Sequence, residues 1–141
     1  MPITISPTAF TAIVEHSRQQ FPLEACGLIA GKVTDDGKTI EKAYPLPNLA
    51  QSRYRFDIDP KDQLKAIVAM RQEGLAPLGN YHSHPETPSR PSSEDLKLFI
   101  DPKASYLIVS LAQRLPLVKA FSINSSETSG FIEEELIVTK I

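Results

Sequence analysis

Cysteine is nearly absent. A single residue, Cys26, stands in 141, which excludes an internal disulfide and any zinc site built from several thiolates. An excess of one charge is missing as well. Fifteen Lys and Arg against 17 Asp and Glu give a formal net charge of −2, with the basic residues scattered, so a phosphate backbone finds no electrostatic footprint and nucleic acid is not an expected partner. No apolar run approaches the roughly 18 residues of a membrane span. The opening "MPITISPTAF" lacks the basic and apolar regions of a signal peptide, and a reducing cytoplasm is the expected compartment. Repeats, linkers and low-complexity tracts are missing too, so residues 1–141 are expected to form one domain.

What is present is a short list of elements. Ile3 to Ile5 read as a strand, and Ser6 can cap a helix with Pro7 at its first position. Phe10, Ile13, Val14, Ser17 and Phe21 follow at helical spacing until Pro22 ends the pattern. "EACGLIAGKV" is a mostly apolar strand that turns at Asp36-Gly37 into "TIEKAYPL". "RYRFDID" alternates and predicts a further strand, and Asp59-Pro60 opens a second helix with Leu64, Ile67, Val68 and Met70 as its apolar face, stopped at Gly74. "LGNYHSH", "SYLIVSLA" and "LVKAFSIN" predict three more strands, with a helical "SSEDLKLFI" after the first of them. A polar loop, "SSETSG", precedes one closing strand, "EELIVTKI". Strands outnumber helices, so the fold class is α/β with a curved mixed sheet flanked by helices.

The chemistry concentrates in "NYHSHPETPSRPSSED", residues 80–95, which holds two of the chain's three histidines. In an extended segment, positions i and i+2 share a face, so His82 and His84 offer two nitrogens to one point while Ser83 faces away. Pro85 takes the chain out of the sheet, and Asp95, in the first turn of the following helix, can return a carboxylate. Two histidines and one carboxylate are a catalytic zinc ligand set with a fourth position left for water. Such a water needs a base, and Glu24, beside the apolar "FPL", is the candidate, since burial raises a carboxylate toward a useful pKa. Ser92 could donate a hydrogen bond to an oxyanion. Each residue also has a plainer role: Ser92 and Asp95 form a capping-box pattern, Glu24 a solvated carboxylate, Cys26 a small buried hydrophobe that could also approach the metal, and His16 a surface residue with no assigned task.

Taken together, Glu24, "HSHP", six residues, Ser92, two residues and Asp95 resemble the signature of the JAMM family, the MPN+ or Mov34/MPN/PAD-1 metallopeptidases. "EACGLIAG", "RYRFDIDP", "GNYHSHP" and "SYLIVSL" stand in the order of the small bacterial members and cover nearly the whole chain. The resemblance implies that His82, His84 and Asp95 hold Zn2+, that Glu24 is the general acid/base, that Ser92 supports the oxyanion, and that Ser83 and Pro85 shape the site. It implies a sheet similar to that of the cytidine deaminases. Deamination itself is set aside, because that signature needs paired cysteines. The expected substrate is a peptide or isopeptide bond after the Gly-Gly tail of a ubiquitin-like sulfur-carrier protein, with the loop from Glu86 to Pro91 governing access. The alternative is a zinc-stabilised module that binds such a tail without cutting it, with Cys26 as the fourth ligand.

Overall fold

The computed structural model describes residues 2–140, so Met1 and Ile141, the ends of the expected 1–141 domain and of the expected last strand, lie outside the described residues. Eleven elements follow one another: β1 Ile3–Ile5, α1 Pro7–Gln20, β2 Cys26–Thr34, β3 Gly37–Leu46, α2 Pro60–Gln72, β4 Ala76–His84, α3 Ser93–Leu98, β5 Ser105–Ser110, β6 Leu117–Ile123, β7 Phe131–Glu134 and β8 Leu136–Val138. The eight strands form a single sheet in the order β7-β6-β5-β4-β2-β3-β1-β8. It is mixed: β1 runs parallel to β3 and β8, β4 runs parallel to β5, and the other pairs are antiparallel.

The ends of the sheet show its curvature. β7 and β8 occupy opposite edges yet only Glu135 separates them, and its carbonyl accepts from Ile3 N at 2.9 Å. One residue can span two edges only if the sheet has curled until they nearly meet. Of the closing strand expected over 134–141, the described residues form only β8, while β7 over Phe131–Glu134 was not expected, because the chain changes edge at Glu135 where one straight strand was expected.

β2 explains how both helices dock. Its first six residues are buried, as suits a central strand covered on both faces. Ile29 packs with Ile13 of α1, whereas Leu28 and Ala30 pack with Ala66 and Met70 of α2. α1 matches its expected pattern at Ile13, Val14 and Ser17, while Phe21 ends 52% exposed beyond the helix. In α2 the apolar face is shifted from the expected one. Ala66 and Met70, four residues apart, are buried, and Leu64 and Val68 face outward at 62% and 47% exposure. The small Ala66 lets the helix lie close to the sheet.

"RYRFDID" is not a strand. β3 is already paired on both sides, by β2 and β1, so the segment after it has no ladder to join. It runs as a loop from residue 47 to 59, and its alternation survives as burial of Phe56 and packing of the half-buried Ile58 on the α2 cluster, with Arg55 and Asp57 exposed. Gly79 sits where β4 meets β5, at φ +150°, and a Cβ there would stand 1.8 Å from the Ser105 carbonyl oxygen. Among the described residues no helix is long and apolar enough to cross a membrane.

Candidate metal centre

β4 carries both histidines to its C-terminal end, where they share one face. His84 lies opposite Ser110 of the parallel strand β5, and the Leu111 amide donates to the His84 carbonyl at 3.0 Å, fixing the last rung of the ladder. Beyond it, Pro85 turns the chain out of the sheet into a proline-rich loop that is tied down at three points. Ser110 Oγ donates to Thr87 O at 2.6 Å, Ser89 Oγ to Leu117 O at 2.5 Å, and His84 Nδ1 to Pro88 O at 2.8 Å. The loop delivers the chain to α3. There Ser92 Oγ accepts from Asp95 N at 3.1 Å while Asp95 Oδ2 accepts from Ser92 N at 2.9 Å. One carboxylate thus completes the capping box and also faces the two histidines, and Ser92 keeps its own hydroxyl proton free to donate.

Three ligand atoms result. His82 Nε2 and His84 Nε2 lie 3.2 Å apart, and each stands 3.0 Å from Asp95 Oδ2. All three residues are buried. A tetrahedral ion with ligands at about 2.0 Å spaces neighbouring donors by about 3.3 Å, so this triangle matches one face of such a site to within a few tenths of an ångström. The proton balance agrees. His84 Nδ1 must donate to Pro88 O, so the Nε2 that faces the anionic Asp95 carboxylate is satisfied by a second ring proton or, in its place, by a cation. The Pro88 bond also orients His84 as a metal-ligating histidine requires.

The environment sets the charges. Burial pulls the pKa of His82 down and outweighs its bond with Asp95, so this ring is neutral and ready to ligate. Burial also opposes the charged form of His84, but the hydrogen bonds with Asp95 and Pro88 prevail and raise it. Asp95 is pushed up by burial and pulled further down by both histidines and the Ser92 amide, so it stays a carboxylate. Phe56, from the loop that was expected as a strand, stacks on His82 at 4.5 Å between ring centroids and 24° between planes.

Glu24 reaches the site by register. Cys26 pairs with His82, Ser83 N donates to Ala25 O at 3.0 Å, and Ala25 N donates to Ser83 Oγ at 2.8 Å, so the pairing runs one residue past β2 and sets Glu24 against His84. Ser83 thereby ties β4 to the residue before β2. Glu24 is 2% exposed, its Oε1 has no hydrogen-bond partner, and burial pushes its pKa up to about 8. It lines a cleft of about 210 Å³ together with Arg53, Tyr54, His84, Glu86, Thr87 and Ser92. A larger cleft of about 500 Å³ lies between β3 and α2, but its Lys42 and Glu73 are paired with each other at 2.6 Å, and chemistry rather than size marks the site.

Cys26 stays out of the triangle. Its thiol faces the Leu46 and Pro47 carbonyls at 3.8 and 3.7 Å, and burial pushes it up to about 12. His16, expected at the surface, is half-buried instead, and its Nδ1 is hydrogen-bonded to Tyr81 Oη at 2.7 Å. Burial lowers the pKa of His16, which favours the neutral ring. Sequence reasoning also missed Asn48. Its Nδ2 donates to Glu24 O at 3.0 Å and Arg55 O at 3.1 Å, and its Oδ1 accepts from Ala50 N and Asp57 N at 3.0 Å each, which knits the 47–59 loop to Glu24, two residues before β2.

Comparison with known proteins places this arrangement. Residues 6–124 match the family described as prokaryotic homologs of the JAB domain. The CysO-cysteine peptidase of Mycobacterium tuberculosis is 36% identical over 108 residues, covering 77% of this chain and 73% of that protein. The desampylase of Haloferax volcanii is 32% identical over 113 residues, covering 77% and 80%. A solution structure from Desulfitobacterium hafniense superposes with a TM-score of 0.88 at 45% identity, covering 99% of this chain and 94% of the other. The chain belongs to the prokaryotic JAB family and is a hydrolase of the JAMM type.

Proposed function

We propose that the protein is a zinc metallopeptidase that hydrolyses the peptide or isopeptide bond after the C-terminal Gly-Gly of a ubiquitin-like sulfur-carrier protein, acting in the cytoplasm as one domain over residues 1–141. The observation that carries this is the triangle of His82 Nε2, His84 Nε2 and Asp95 Oδ2 with the unpartnered Glu24 Oε1 in the adjoining cleft. The N,N,O donor set and its spacing suit Zn2+ with one position left open. Relatives whose names specify a carrier–cysteine bond and a protein conjugate support a tail substrate.

His82, His84 and Asp95 would hold the ion, which supplies Lewis acidity toward the carbonyl and brings a water's pKa down to about 7. Glu24 takes the proton of the attacking water at its free Oε1 and returns it to the leaving nitrogen; burial lifts this carboxyl above the usual carboxylate range and a neighbouring cation would draw it back toward neutrality, where it exchanges protons in both directions. Ser92 donates its free hydroxyl proton to the developing oxyanion. Phe56 and the Pro88 carbonyl hold the two imidazoles in place. A binding module that never cuts would leave Glu24 without a task and would call on Cys26 as a fourth ligand, from which its thiol is turned away.

Intact-mass spectrometry on a sulfur-carrier protein bearing a short extension after Gly-Gly tests the proposal. The zinc-loaded protein removes the extension, and Glu24→Gln slows removal by about 10²-fold or more while keeping its metal. An uncut carrier in the presence of the zinc-loaded wild type refutes it.

A further inference from the structure

The cleft beside the triangle carries a charge that the hydrolytic steps leave unused. Among the described residues that line it, Arg53 is the one arginine or lysine, set against the exposed carboxylate of Glu86. Arg53 Nη1 contacts Glu86 Oε1 at 3.1 Å across the gap between the 47–59 loop and the loop after His84, and the two side chains are 50% and 61% exposed. An ion pair so open to water contributes little net stability and exchanges partners easily. The backbone beneath it is fixed. Tyr54 N donates to Ser52 Oγ at 3.0 Å and Asn48 Nδ2 to Arg55 O at 3.1 Å, so the guanidinium is presented from a held segment.

Glu86 is the exposed carboxylate of this cleft, and a substrate anion that enters it competes with Glu86 for the Arg53 guanidinium. The two bond types open to this site differ at that point. When one residue follows Gly-Gly through an ordinary peptide bond, its α-carboxylate is two bonds from the scissile nitrogen. In an isopeptide to a lysine side chain the same positions are uncharged methylenes. Resting on the Gly-Gly reading of the site, we propose that Arg53 is a specificity-determining residue that selects substrates ending one residue past the scissile bond, by exchanging Glu86 for the substrate's free α-carboxylate. A guanidinium fork meets a carboxylate through two parallel hydrogen bonds, which gives orientation along with charge.

Two labelled peptides test this, one ending Gly-Gly-Ala with a free carboxylate and one ending Gly-Gly-Ala carboxamide; alanine avoids a thiol that would bind zinc by itself. The zinc-loaded wild type favours the acid by about tenfold or more in kcat/KM, the discrimination expected of one charge-assisted contact. Arg53→Gln brings the ratio close to one, whereas Glu86→Gln, which removes the competitor, holds or raises it. Calorimetry with the slow Glu24→Gln variant reads the same preference as a difference in Kd, independent of turnover. Equal treatment of the two peptides by the wild type, or an Arg53→Gln variant that loses both in proportion, overturns the assignment of Arg53 while the Gly-Gly proposal stands. Failure of the wild type to cut either peptide or an extended carrier overturns both.

Discussion

Glu24 has an ordinary carboxyl in an unusual place, and its behaviour in the metal-free protein follows from that. Its pKa rises from 4.5 to about 8 on folding because burial disfavours the anion. Between those values the folded protein keeps a proton that the unfolded chain has released, so this residue's contribution to stability is full below about pH 4.5 and is lost as pH rises toward 8. Glu24→Gln has no such proton. The urea midpoint of metal-stripped wild type, measured relative to Glu24→Gln, should fall between pH 5 and pH 8, the other titrating groups cancelling in the difference. Parallel midpoints across that range would show that the carboxyl is hydrated rather than buried. Ser92 and Asp95 illustrate the same economy. The capping box explains their spacing completely, yet the oxygen that accepts from Ser92 N is also the one that faces both histidines, so the plain role and the chemical one coincide.

At the scale of elements, the loop over residues 47–59 does what a strand was expected to do, and Asn48 is the reason it can. Its amide makes four hydrogen bonds, which replace the ladder this segment lacks. Asn48→Ala should cost on the order of 2–4 kcal/mol at roughly 1 kcal/mol per bond. It should also raise hydrogen exchange at the amides of Ala50 and Asp57 while leaving those of β4 and β5 protected; unchanged exchange at Ala50 and Asp57 would mean that the loop is held by other contacts. The episode shows where the sequence was legible. His82, His84 and Asp95 lie within fourteen residues, and strand alternation, the proline exit and the cap fix their meeting locally. Alternation in "RYRFDID" recorded the burial of Phe56 correctly, but whether an alternating segment finds a ladder depends on distant strands, and here β3 was already paired on both sides. Phe56 on His82, His16 on Tyr81 and the Asn48 bonds are choices of tertiary partner that no local pattern announces. The loop from Glu86 to Pro91 was expected to serve access alone, yet its Pro88 carbonyl also orients His84, so changes there touch the ligand set too.

For the molecule as a whole, the triangle joins parts of the chain that the sheet leaves apart. The curled sheet closes on itself through Glu135 and carries its own apolar core with α1, but α3 makes no strand-like pairing and is fastened at its start through Asp95 to the histidines and through Ser92 to itself. An ion held there binds the folded state and not the unfolded one. At a thousand times its dissociation constant it adds about 4 kcal/mol, which for a domain near 150 residues corresponds to about 8–16 °C in Tm. Chelation should therefore lower Tm by on the order of 10 °C while the far-UV circular dichroism at 25 °C stays that of the intact sheet, because the core of Ile5, Ile13, Ile29 and Leu107 owes nothing to the metal. Zinc should restore the transition and magnesium should not, since magnesium demands octahedral oxygen ligands that two imidazoles do not provide. Asp95→Asn, which keeps a side chain able to accept from Ser92 N, should unfold near the chelated wild type and gain little from added zinc. If instead chelation removes the zinc and Tm does not move, the three side chains are already satisfied by one another, and the triangle is a packing arrangement rather than a metal centre.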